Sequence, residues 1–350
     1  MKNRIRLGIG LSVSFLFLYL AMRGIDWPQL WELFRSGNYI YLIPVFLLIA
    51  IISGIRAIRW HLLMERDPNL TLTEVFHLIN IGYLFNNILP AKAGEGARGY
   101  LAGRKVSGGL GQAVSTLLIE RLLDVLSVVV LLAMLLPLIE LPTWAVRGGM
   151  FLGGAAIAGM AALLAVARVG PRAVDWLWRW VGRLPLVGHP KVKEGLTHLA
   201  EGCAVLTHAR RLIPVLFTTA AIWLGYATIN RLMMHVFGMQ GLPLTAAVLV
   251  LCFTGLSMVV PSSPGAIGPF EWAGVQALAL FAVEQSAAFG YTLGLHLFTN
   301  LTLIALGIVG LISQGLSYGR LTQVVTETNG PSPITPHDVP ITSDPLERAP

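Results

Sequence analysis

Eight stretches of this 350-residue chain are apolar and poor in charge: 6–22, 38–56, 75–90, 112–136, 148–168, 212–230, 244–260 and 288–313, with a shorter ninth at about 270–282. A bilayer core about 30 Å thick takes about 20 apolar residues per helix. The stretches therefore predict a polytopic membrane protein built of α-helices. Composition agrees, since 12% of residues are charged and 55% apolar, against about 25% and 45–50% in soluble domains. So little charge cannot cover a globular surface in water, which excludes a soluble enzyme. Cys203 and Cys252 lie in a basic loop and an apolar run, so no disulfide framework is expected.

The first stretch follows Lys2, Arg4 and Arg6 and has no small-x-small cleavage site before Arg23. It reads as an uncleaved anchor rather than a signal peptide. Basic residues stay on the cytoplasmic side. Place the N-terminus inside and let 6–22, 38–56, 112–136, 148–168, 212–230 and 288–313 cross fully. The inner segments then hold Lys2, Arg4, Arg6, Arg56, Arg59, Arg66, Arg98, Arg104, Lys105, eight Lys and Arg between 168 and 211, and Arg320. The outer ones hold Arg23, Arg35, Arg147 and Arg231. Topology thus accounts for the net charge of +7, and nucleic acid is not an expected partner. The expected location is the inner, cytoplasmic membrane, with both termini in the cytoplasm. The basic loop 168–211 contains Asp175-Trp-Leu-Trp-Arg-Trp180, which suits a helix in the headgroup layer or a small cytoplasmic hairpin. A transmembrane domain of residues 1–320 is followed by a Pro-rich stretch, 321–350, that reads as a disordered cytoplasmic tail.

Two stretches do not fit as crossings. Residues 75–100 have basic or mixed sequence at both ends and contain Asn86-Asn-Ile-Leu-Pro-Ala-Lys-Ala-Gly-Glu-Gly-Ala-Arg98. Pro90 stops a helix, Gly94 and Gly96 loosen the backbone, and Glu95 against lipid costs about 2.5–3.5 kcal/mol. Residues 244–282 contain Pro261-Ser-Ser-Pro-Gly-Ala-Ile-Gly-Pro-Phe-Glu271, a break followed by a new helix opening at Pro269. Non-helical backbone at membrane depth survives only inside protein or beside water. Both segments are therefore expected to be re-entrant hairpins, the first entering from the cytoplasm and the second from outside. Pro-kinked full spans are the alternative, and would put 98–107 and 168–211 on opposite faces.

The two breaks are related by subtraction. Glu271 follows Glu95 by 176 positions, and the same offset takes Glu120 to His296, Asp124 to Asn300, and Arg56 to Leu232, beside Arg231. Units at about 38–136 and 212–313 then start on opposite sides, the inverted-repeat pattern of transporters, whose site lies between paired broken segments. The expected fold is all-α and polytopic, with about six full transmembrane helices plus two re-entrant broken-helix hairpins arranged as an inverted repeat.

A helix that begins inside the membrane presents unpaired N–H groups carrying about +0.5 charge. The two beginnings, near Ala91–Gly94 and Gly268–Pro269, suit a phosphate or another anion. Lys92 adds a cation there, and Ser262 and Ser263 add hydroxyls. Glu95 and Glu271 fall in the first turn of each half-helix. A carboxylate there steadies the N-terminus, or else holds a cationic headgroup or carries a proton. Glu120 and Asp124 share one face of the third full span. Arg121 can pair with Asp124, while Glu120 has no partner on its own helix. His296 and Asn300 share a face of the last span. The candidate substrate-binding residues are Asn87, Lys92, Glu95, Arg98, Glu120, Arg121, Asp124, Ser263, Glu271 and His296. With Glu95, Glu120, Asp124 and Glu271 against Lys92 and Arg121, the cavity is expected to hold more acid than base. Gly149 with Gly153, and Gly290 with Gly294, mark close helix contacts.

Other chemistries find no signal. The sequence has no Walker loop, no zinc spacing, no H-E-x-x-H helix and no G-x-S-x-G elbow, so no catalytic residue, metal or cofactor is expected.

Asn87-x-x-Pro90-x-x-x-Gly94-Glu95-x-x-Arg98, Glu120-Arg121-x-x-Asp124 and Pro261-x-Ser263-Pro264-Gly265-x-x-Gly268-x-x-Glu271 occur in that order. Together with Arg56-x-x-Arg59-Trp60, these motifs resemble the flippase-like transmembrane family, the membrane region of lysylphosphatidylglycerol synthases (multiple peptide resistance factor proteins), over about residues 5–318. The resemblance implies movement of aminoacylated phospholipid between leaflets, the amino acid being attached by a separate soluble domain. About 30 residues follow the transmembrane domain of 1–320, too few for the soluble domain, and Lys92 stands where the family's usual residue is Arg. The expectation is therefore a stand-alone protein that moves a phospholipid or lipid-linked headgroup. Its rivals are an intramembrane transferase acting on a lipid phosphate and a non-transporting membrane partner. The expected partners are membrane lipids, a separate lipid-modifying enzyme and further copies of the chain.

Overall fold

The computed structural model describes residues 2–65, 67–89, 93–170, 190–260 and 262–315, with 172, 174, 175, 178 and 179. Among them the regular structure is helical, without strands: α1 (Lys2–Met22), α2 (Trp27–Arg35), α3 (Leu42–Leu63), α4 (Leu72–Ile88), α5 (Ala93–Gly103), α6 (Gly109–Leu135), α7 (Thr143–Val169), α8 (Pro190–Gly202), α9 (Ala209–Val236), α10 (Leu244–Ser257), α11 (Pro269–Ala279) and α12 (Gln285–Ser313). Lys92, Trp176, Leu177 and Trp180 of the Trp-rich run, and the tail 321–350 lie outside the described residues.

Among the described residues, four helical segments are long and apolar enough to cross a membrane: Tyr39–Leu63, Thr143–Val169, Ala209–Val236 and Gln285–Ser313. Gly10–Met22 and Leu244–Ser257 are shorter apolar helices. α6 has the length, at 27 residues, but carries Glu120, Arg121 and Asp124 along its middle. The outward faces are apolar, with Phe15, Phe151, Phe217 and Ile312 each 75% exposed. Large apolar side chains around a bundle that buries its charges call for lipid outside. The chain is an integral membrane protein.

Local sequence sets where the helices begin. α4 opens with a capping box, Thr71 accepting from the Glu74 N–H while the Glu74 carboxylate accepts from the Thr71 N–H. α11 opens at Gly268 with Pro269 as its first helical residue. α12 opens at Glu284, whose side chain accepts from the Ala287 N–H. α3 runs past residue 56, where the apolar stretch ends in the sequence, and on to Leu63. It does so because Arg56 and Arg59 find partners inside the bundle rather than in water.

α4 packs against α5 across the first break, and α10 against α11 across the second. α3 lies along α9, α4 along α12, and α10 along α6. The main core joins α3, α6, α9, α10, α11 and α12 through residues such as Ile52, Val128, Ile222, Val250, Leu278 and Tyr291. Gly149 and Gly153 of α7 sit against Leu132 and Val129 of α6, while Gly290 and Gly294 sit against Leu33 and Phe237. Both small-residue pairs are thus close helix contacts. α8, from the basic loop, is docked on α6, with Gly111 against the Gly195 carbonyl.

Candidate functional site

The first break sits between α4 and α5, which approach so closely that a Cβ on Gly94 would strike the Gly82 carbonyl and lie 2.7 Å from Asn86 Oδ1. Only glycine permits this, and it brings Glu95 and Arg98 of α5 toward α6. Glu120 becomes the centre of an arginine cluster. Arg98 Nη2 is 2.6 Å from its Oε2, while Arg121, Arg59 and Arg56 lie 3.0, 3.2 and 3.3 Å from its Oε1. Asp124 is met by Arg59 at 2.8 Å, Arg56 at 3.3 Å and Arg121 at 3.8 Å. Glu95 closes the set, 3.5 Å from Arg121. The Glu120 and Arg59 side chains are fully buried, whereas those of Arg121 and Glu95 are 39% and 33% exposed.

Aromatic residues wall the cluster. The Arg98 guanidinium lies 4.1 Å from the centre of the Trp60 ring, a cation–π contact, and Trp60 is held by its Nε1–H donating to Thr116 Oγ1 at 3.1 Å. Arg56 donates to the Tyr226 hydroxyl of α9 at 3.1 Å. A narrow cleft lined by Ile79, Gly82, Tyr83, Asn86, Gly94, Glu95, Arg98 and Arg121 leads to it, with room for little more than a water molecule. Asn86 Oδ1 and the Nε atoms of Arg98 and Arg121 have no hydrogen-bond partner among the described residues.

Two sequence expectations need correction. Arg56 and Arg59, read only as cations of the inner side, are buried within a helix and join the candidate residue Arg98 in the site. Four arginines then face Glu95, Glu120 and Asp124, so the cluster carries an excess of base over acid rather than the reverse. The sequence signal for Arg56 and Arg59 was their spacing of three, which puts both on one helix face, opposite carboxylates at 120 and 124.

Glu271 lies outside that cluster. Its Oε2 accepts from the Gly268 N–H at 2.6 Å, capping α11, and its Oε1 is 2.5 Å from His296 Nδ1 of α12. The α11 N-terminus is thus already met by a carboxylate of its own chain. Phe270 stacks on the His296 ring, centroids 4.0 Å apart. His296 Nε2 is buried with no hydrogen-bond partner among the described residues. Ser263 donates its backbone N–H to Ser14 Oγ of α1 at 2.8 Å. Its own hydroxyl faces the Pro264 and Ile267 carbonyls.

The two breaks meet. Asn87, at the end of α4, donates to the Tyr83 carbonyl at 3.0 Å and places its Oδ1 3.4 Å from where a Cβ on Gly265 would stand. Asn300 Nδ2 of α12 lies 3.7 Å from the same point. α4 thus turns Tyr83 and Asn86 toward the arginine cluster and Asn87 toward the second break. The expected single pocket is two polar centres, Glu120 with its arginines and Glu271 with His296, on either side of this junction.

No curated protein and no solved structure matches the chain. The model of one family, described as the lysylphosphatidylglycerol synthase TM region, matches residues 7–307 and so takes in both breaks, the arginine cluster and the Glu271–His296 pair: the chain belongs to that family.

Proposed function

We propose that this protein moves a phospholipid or a lipid-linked headgroup between the leaflets of the cytoplasmic membrane. The observation that carries the reading is the junction at Gly265, where two broken helix pairs touch beside a buried cluster rich in arginine. Charge inside a membrane is expensive and is retained where it serves a path. Arg121 is the exposed member, and its longest ion pairs are to Glu95 and Asp124. A lipid phosphate competes well for such a guanidinium, since it accepts two parallel N–H bonds. Acyl chains stay in lipid while the headgroup passes along the cleft between α4, α5 and α6.

The reading includes six full spans, two re-entrant hairpins and an inverted repeat. Two facts support the repeat. Shifted by 176 positions, α5 (Ala93–Gly103) falls on α11 (Pro269–Ala279), and the start of α6 at Gly109 falls on the start of α12 at Gln285. The packing also survives exchange of the halves: α4 on α12 becomes α10 on α6, and α3 on α9 maps onto itself. In the closed arrangement seen here the cleft is too narrow for a headgroup. Transport then proceeds by alternate opening of the two broken pairs, as such folds allow.

Reconstitution into liposomes with a fluorescent phospholipid in one leaflet tests the function. Leaflet exchange that depends on the protein, falls in Glu95→Gln and leaves the lipid mass unchanged is the expected result. A lipid of altered mass would point instead to a transferase, and no exchange with any headgroup would remove the transport reading.

A further inference from the structure

The two halves hold their half-helices differently. In the first, α5 is tied to α6 by Arg98 on Glu120 and by Glu95 on Arg121. An arginine does not lose its proton in a protein, so this tie carries fixed charge. In the second, α11 is tied to α12 by Glu271 on His296. Glu271 is the counterpart of Glu95 and His296 the counterpart of Glu120 at the same offset of 176. The second tie is therefore built on an imidazole, the side-chain type that serves as a proton switch, rather than on a guanidinium.

We propose that Glu271 and His296 form a proton-operated latch on the second break, making movement through the transporter described above proton-dependent. The side chains of Glu271 and His296 are 1% and 5% exposed. His296 Nδ1 is spent on Glu271, leaving the buried, unpartnered Nε2 to take the proton. Protonated, the pair is imidazolium against carboxylate, neutral as a whole and suited to its apolar setting beneath Phe270. When the proton leaves Nε2 for water, one negative charge remains without compensation, and burying such a charge costs several kcal/mol. The lower-energy response is to let water in. Glu271 then releases the Gly268 N–H, and the segment from Ser263 to Gly268 parts from α1.

Titratable and charged groups on the neighbouring helices are bonded elsewhere or lie away from the pair, Glu32 and Arg35 of α2 being exposed. Cys252 of α10 faces the Val128 carbonyl, and Arg231 of α9 binds the Gln240 and Leu242 carbonyls. Tyr291 of α12 donates to Asn230. On α3, Arg56 and Arg59 are held by Glu120 and Asp124. His77 of α4 lies level with Gly310, far along α12 from His296. The described part of α1 offers Ser14, while its Tyr19 is exposed. Among the described residues, no other ion pair reaches Glu271 or His296.

The test places a cysteine at Ala266, which is 8% exposed, in protein with Cys203 and Cys252 replaced, and follows its labelling by a water-soluble maleimide in liposomes. Rates are taken relative to the same cysteine in unfolded protein, which removes the thiol's own titration. Labelling is expected to rise about threefold or more from pH 5 to 8, the range in which imidazole titrates, and to lose that dependence in His296→Gln. A profile that is flat in the parent protein, or unchanged in His296→Gln, overturns the latch. Should His296→Gln fail to fold, Glu271→Gln takes its place, and the parent profile alone still decides. Lipid exchange in the same vesicles is read separately. Gated labelling without exchange keeps the latch and removes transport, whereas exchange that ignores pH removes the latch and keeps transport.

Discussion

Arg98 reaches from α5 to Glu120 on α6, Nη2 to Oε2 at 2.6 Å, with 4% of one side chain exposed and none of the other. This bond holds the half-helix after the first break onto a long helix of the bundle. Removing one partner of a buried pair leaves a charge without compensation, at a cost of about 3–5 kcal/mol. Glu120→Gln, which strips the centre from four arginines, is expected to lower the thermal unfolding temperature in detergent markedly. Arg98→Gln does the same to a lesser degree, because Glu120 keeps three partners. The double variant should be less damaged than the sum of the two. Equal stability of Glu120→Gln and the parent protein would contradict the geometry.

Arg121 behaves differently. Its side chain is 39% exposed, its pairs to Glu95 and Asp124 are long at 3.5 and 3.8 Å, and Glu120, which it meets at 3.0 Å, is also held by three other arginines. Arg121→Gln is expected to keep most of the parent stability while lowering lipid exchange in liposomes. A large loss of stability with normal exchange would reverse the roles given to Arg121 and Arg98.

Gly268 has φ +99°, and a Cβ there would meet the Ser14 carbonyl and lie 3.1 Å from the Leu18 nitrogen. Gly268→Ala is expected to cost about 1–3 kcal/mol from backbone strain alone, with more from the displaced α1. Ser14→Ala, which loses the acceptor for the Ser263 N–H, should cost about 1 kcal/mol. Thermal unfolding of the two variants checks the order, Gly268→Ala being the weaker protein.

Outside the membrane-spanning helices, Glu74 accepts from Lys105 and from the Thr71 N–H, and these bonds pull its carboxyl from the ordinary 4.5 down to about 2. A carboxyl lowered by folding stabilises the folded state above its unfolded value, and the benefit fades as pH falls toward the folded value. The stability difference between the parent and Glu74→Gln should thus be largest near neutral pH and shrink between about pH 4.5 and 2. Chemical denaturation at a series of pH values reads it. A difference that grows on acidification would show that Glu74 is not held this way.

The apolar stretches and both breaks could be read from the chain, because length, hydropathy and Pro–Gly punctuation act locally. Two of the arginines could not. Arg56 and Arg59 stand at the end of an apolar stretch, where basic residues usually mark the cytoplasmic loop, and no spacing rule reaches a partner 65 positions away on another helix. What pointed to them was the pair of carboxylates Glu120 and Asp124 on one helix face, more acid than Arg121 beside them balances, although Glu120, expected to have no partner on its own helix, does meet Arg121 there at 3.0 Å. The division into two centres was hidden for a related reason. Both oxygens of Glu271 are used within the second half, by Gly268 and His296, and no spacing rule says how a carboxylate divides its bonds.

α1 lies outside the units at 38–136 and 212–313, yet it braces the second break: Ser14 takes the Ser263 N–H across 249 positions of chain. The ribosome therefore delivers this brace long before the turn it supports, and the N-terminal helix must wait in the bilayer until nearly the whole bundle has been made. Shortening or blocking that first helix should spare the Arg98–Glu120 side and loosen the His296 side, giving one protein with unequal halves.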